Sequence, residues 1–318
     1  ITGFSRDGIR AKNGPEDIIY LDSVDLNANC GWGVRSAGIV RVNMDTVTAN
    51  PGQLSEINEN GIGEGCSGGG ILAFAGEVYA ANVWIEDNNG PGIATLDGVN
   101  IMSCDISNNL GDGIYIHTGG VEVYYNKDAS DEPVEISNNF GHGVSASGAC
   151  GDDEAGCMGF SSLHGLSVSG NSGWGLKVGG GLSISYATTY LPRRSTFFGN
   201  GFGQGCRVAV DGAMDADFHY EAGPCSGGGI MQWGDGIATI YSSAIYDNAG
   251  PGILAHGHMV GGGLQVTGNG ADGIRTETGG IHIRNIDLEG YEAKFSHNAG
   301  HGLASMGVTD IEIEMPAG

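Results

Sequence analysis

The sequence predicts an all-β solenoid, a chain wound into about eleven stacked coils. Three observations carry that expectation. A nine-residue pattern (apolar, two free positions, Asn, any, Gly, any, Gly, apolar) recurs through most of the chain. Glycine fills 61 of 318 positions, against a usual share of about 7%. Between the motifs, apolar and polar residues alternate, as in Val121-Glu122-Val123, and helix-period patterning is absent.

The pattern reads LNANCGWGV from Leu26, IEDNNGPGI from Ile85, ISNNLGDGI from Ile106 and ISNNFGHGV from Ile136. It continues as VSGNSGWGL from Val168, IYDNAGPGI from Ile245, VTGNGADGI from Val266 and FSHNAGHGL from Phe295. Asn and Gly suit turns, often with positive φ. The alternating flanks suit short strands. A coil of about 21 residues cannot bury its own apolar face, but a stack of coils can, and aligned Asn residues then form a ladder.

These motifs resemble the right-handed parallel β-helix repeat family, the pectate-lyase-like solenoids, over nearly the whole chain. The resemblance implies a single-stranded right-handed parallel β-helix with inserted loops at 127–133, 149–165, 186–196 and 206–225. It leaves function open, because lyases, hydrolases, epimerases, tailspikes and adhesins share the scaffold.

The coils also repeat as a block, residues 26–147 against 168–306. The residue between the two motif glycines is Trp32, Pro91, Asp112 and His142 in one half, then Trp174, Pro251, Asp272 and His301 in the other. Stacking at about 4.8 Å sets Asp112 below His142 and Asp272 below His301. Three roles fit this turn-edge pair: a solvated turn, a repeated cation or ligand contact, or an acid–base couple.

After each Gly-x-Gly, the first and third strand residues should face inward and the second and fourth outward. The outward set includes Leu72, Phe74, Tyr115, His117, Met231, Trp233 and His256, an apolar and aromatic stripe. It is read either as a platform for carbohydrate or a partner chain, or as a surface covered by the inserted loops.

Seven cysteines suggest an oxidising compartment. Spacing favours loop-stapling pairs Cys150–Cys157 and Cys206–Cys225, a pairing of Cys30 with Cys66 on neighbouring coils, and a free, buried Cys104. No cofactor is expected, although the acidic loop Asp152-Asp153-Glu154 could hold calcium.

Acids outnumber bases 37 to 13, a formal charge of −24, which disfavours nucleic acid and anionic lipid. Arg10, Lys12, Arg35 and Arg41 crowd the first coils. No apolar run is long enough for a membrane span. The Asn-Thr-Asp and Arg-Ile-Lys motifs of polygalacturonase-like hydrolases are missing, as is the Asp-Pro-His of alginate epimerases. The expectation is therefore a secreted or cell-surface structural or adhesive rod that binds carbohydrate or another copy of itself. The alternative is a polysaccharide-active lyase, hydrolase or epimerase working on the exposed strand face. Neither terminal coil carries a polar cap, which fits a piece of a longer chain or copies stacked end to end.

Overall fold

The computed structural model describes residues 1–12, 14–44, 54–124, 133–147, 161–185, 194–203, 206–209, 220–223, 227–234, 236–284 and 293–312. They form a parallel β-helix. One coil shows the plan: Val83–Glu86 lies in one sheet, Ile93–Thr95 in a second and Val99–Met102 in a third, before Asp105–Ser107 re-enters the first. The strands that follow the Gly-x-Gly turn build an eleven-stranded parallel sheet, here the turn sheet. The next strands build a second eleven-stranded sheet, the groove sheet, and the strands preceding the Asn build a nine-stranded ladder sheet. The described residues contain no helix.

The core is the stack of inward positions. Val34, Ile71, Ile93, Ile114, Val144, Leu176, Ile230, Ile253 and Ile274 are fully buried and in register along the turn sheet. Branched side chains stacked this way bury apolar surface on every side, which no single coil could do.

The turn into the turn sheet holds ten asparagines, from Asn29 through Asn60, Asn88, Asn109, Asn139, Asn171, Asn200, Asn248 and Asn269 to Asn298. Asn139 shows the bonding. Its Oδ1 accepts from the backbone N–H and Nδ2 of Asn109, each at 3.0 Å. Its Nδ2 donates to Asn171 Oδ1 and to the Ile106 carbonyl, also at 3.0 Å. The whole amide is thus satisfied while fully buried. The residue before each ladder Asn has positive φ, between 53° and 69°. Asp87, Asn108, Asn138 and Gly170 tolerate that conformation, whereas Ala28 and Glu59 hold it at a cost.

Two expectations about the inserts change. Residues 161–164 form a groove-sheet strand, in register with Leu182–Ser185, so the 149–165 insert ends earlier. Ser195–Phe198 joins the ladder sheet, which likewise shortens the 186–196 insert. The 206–225 insert carries an antiparallel pair of strands, Cys206–Ala209 with Tyr220–Gly223.

Candidate functional site

The residue between the motif glycines has a backbone role. Asp112 Oδ1 accepts the backbone N–H of His142 at 2.6 Å. His142 Nδ1 in turn accepts the backbone N–H of Trp174 at 2.9 Å. Asp7 does the same for Trp32 at 2.9 Å, and Asp272 for His301 at 2.8 Å. Asp112 thus lies one coil below His142 and Asp272 one coil below His301, and each side chain in this relay caps the next coil's N–H; His301 Nδ1 also lies 3.1 Å from Asp272 Oδ1. Pro91 and Pro251 have no N–H to cap, so Gly69 and Gly228 can stand beneath them without an acceptor. Glycine is required there for a second reason. A Cβ at Gly69 would lie 2.7 Å from the Trp32 ring, and one at Gly228 equally close to Trp174. Burial pushes the Asp112 carboxyl up to about 7, partly offset by the His142 N–H, and pushes the His142 imidazole down to about 3.

The outward stripe of the turn sheet divides in two. Leu72 and Tyr115 are 1% and 4% exposed and pack with Trp32 and Ala94, so they are core rather than platform. Phe74 is half-buried beneath the Arg35 guanidinium, 4.9 Å from its ring centroid. His117 is half-buried. In the second half Met231 and His256 are half-buried, His256 Nδ1 lies 3.1 Å from Glu277 Oε2, and Trp233 stands exposed beside Gly179.

The disulfide Cys30–Cys66 forms, and Cys104 is free and buried, its thiol pushed up to about 12 by burial. Cys150, Cys157, Cys225 and the acidic loop lie outside the described residues, as does the Cys206 side chain. Among the described residues no cluster of three His, Cys, Asp or Glu could hold a metal.

The sequence reading missed an open groove on the groove sheet. Tyr79, Asn100 and Glu122 stand side by side on successive strands. With Glu77, Asp97, Thr118 and Tyr124 they line a concavity of about 430 Å³. Its edge is drawn in by glycines 98, 119 and 120, where a Cβ on Gly119 would strike the Asp97 carbonyl. Tyr79 Oη donates to Glu77 and Tyr124 Oη donates to Glu122. Burial, then the Glu77 bond, pushes the Tyr79 phenol up to about 12. The Glu122 bond, then burial, does the same at Tyr124. Both phenols serve as hydrogen-bond donors to these carboxylates. Rings, carboxylate acceptors, an amide and a hydroxyl in one groove are the groups that recognise a polyol.

The same column continues from Glu122 to Ser162 and Ser183. Ser162 Oγ lies 3.3 Å from His164 Nε2, and His164 Nδ1 lies 2.9 Å from Ser185 Oγ. On the ladder sheet, Trp84, Asp105 and Glu135 are in register along a second concavity of about 500 Å³. Burial raises the Asp105 and Glu86 carboxyls there.

Comparison with family models, curated proteins and solved structures finds no significant match to this chain.

Proposed function

We propose that this protein is an extracellular carbohydrate-binding β-helix whose ligand lies in the groove of Tyr79, Asn100, Glu122 and Tyr124. The observation that carries the reading is the pair of tyrosines held by carboxylates over a polar, open concavity. Sugar rings offer an apolar C–H face to an aromatic ring and hydroxyls to carboxylate and amide groups. The disulfide is compatible with an oxidising compartment. The parallel sheets of the rod support the site.

A glycan array followed by calorimetry tests this. Wild type should bind neutral, hydroxyl-rich oligosaccharides, and Tyr124→Ala should weaken binding by about 1 kcal/mol, near fivefold. No bound glycan, or an unchanged affinity in Tyr124→Ala, overturns the reading. A second reading, a polysaccharide-active hydrolase, is favoured by the Ser162–His164–Ser185 line beside the groove. It predicts that bound, acylated glycans lose their acyl groups during the same titration and that Ser162→Ala abolishes the loss.

A further inference from the structure

The first coils carry a site of opposite chemistry. Arg10 and Arg35 sit directly beside one another on adjacent strands of the turn sheet. With Lys12 they surround a concavity of about 220 Å³ lined also by Ala11, Ala37 and Phe74. Two guanidiniums one strand apart repel, and a chain this acidic has carboxylates to spare. Yet among the described residues neither Arg35 nor Lys12 lies in an ion pair. Among the described residues the one carboxylate paired with this cluster is Asp7, 3.9 Å from Arg10, and its Oδ1 already holds the Trp32 N–H. Arg35 lies over the Phe74 ring at 4.9 Å, which orients it without neutralising it. The first 41 residues hold five bases and five acids, so the whole charge of −24 belongs to the rest of the chain.

We infer that this pocket binds one anionic oxygen group, a carboxylate or a sulfate ester, carried by the same glycan that occupies the groove. The inference rests on the groove reading. Phe74 of the pocket and Glu77 of the groove share one turn, so the two concavities adjoin. Arg35 lies on the turn sheet and Asn100 on the groove sheet two coils further on, an offset along the rod of about 10 Å. Glu77, Asp97 and Glu122 would repel a chain charged at every unit, so the ligand is sparsely acidic: one charged unit at the start of the rod and neutral units beyond. Arginine forks suit planar carboxylate and sulfate oxygens alike.

Calorimetry decides this with three oligosaccharides of equal length: neutral, carrying a single terminal uronate, and fully uronate. A singly sulfated version distinguishes the two anion sources. Wild type should favour the singly charged ligands about tenfold over the neutral one and bind the fully charged one worst. Arg10→Gln with Arg35→Gln should erase that preference and leave neutral binding unchanged. Tyr124→Ala should weaken both while keeping their ratio. An unchanged preference in the arginine double variant, or tightest binding of the fully charged chain, overturns the inference alone. Binding of free glucuronate or sulfate that needs the arginines, without any oligosaccharide bound by wild type, overturns the groove reading and shows the pocket acting by itself.

Discussion

Asp112 and His142 show how single residues set the chemistry of the turn edge. Both are buried, with Lys177 the charge that acts on each. The folded chain keeps a proton on Asp112 up to about pH 7, whereas the unfolded chain releases it near 3.8. This group therefore lowers stability as pH rises between those values. The folded chain refuses a proton on His142 down to about pH 3, whereas the unfolded chain takes one near 6.5. That group raises stability as pH rises over its own window. From about pH 4 to 6.5 the two slopes oppose and largely cancel. Asp112→Asn keeps an oxygen for the His142 N–H and removes one slope. The variant's stability should then rise with pH between 4 and 6.5 relative to wild type, by about 1 kcal/mol per unit, read from denaturant midpoints. A parallel pH profile in the two proteins would show that Asp112 does not titrate as described.

Ladder, turn and disulfide act at the scale of the coil. Cys30 and Cys66 join the second and third coils, next to the ladder residues Asn29 and Asn60. A separation of 36 residues gives a closure benefit of about 3–4 kcal/mol. In a solenoid each coil rests on its neighbours, so the benefit should stay local. Replacing both cysteines with serine should speed amide exchange in the first three coils, including the arginine pocket, and leave the strands from Val144 to Leu182 unchanged. Uniform acceleration along the rod would mean that the coils unfold as one unit.

The ladder was legible in the sequence because one motif fixes both its spacing and its turn. The Pro, Asp and His positions were visible as repeats, but their role was not. A repeat shows that two residues stack, not which backbone N–H lies between them. The groove escaped for another reason. Its column of Tyr79, Asn100, Glu122 and Ser162 keeps the coil period of 21 and 22 residues until an insert stretches the last step to 40, but its side chains change from coil to coil and so form no motif. Tyr115 and Leu72 misled as a platform because alternation gives the side of the sheet and says nothing of what covers it.

At the scale of the whole molecule, charge is the main uncompensated term. Eleven coils stacked at about 4.8 Å hold a net −24 along roughly 50 Å, nearly all of it beyond the first two coils. At 0.01 M salt the screening length is about 30 Å and acids several coils apart repel; at 0.1 M it is about 10 Å and only near neighbours do. Unfolding separates these charges, so low salt favours the unfolded chain. The melting temperature should rise between 0.01 and 0.2 M sodium chloride, by about 2–4 °C for each kcal/mol of repulsion removed. The arginine pocket responds with the opposite sign, since the same ions screen its attraction for an anionic group. Measured together, stability should climb with salt while affinity for the singly acidic glycan falls and affinity for the neutral one holds. A melting temperature that falls with salt would mean that ion pairs, rather than like-charge repulsion, dominate the surface of this rod.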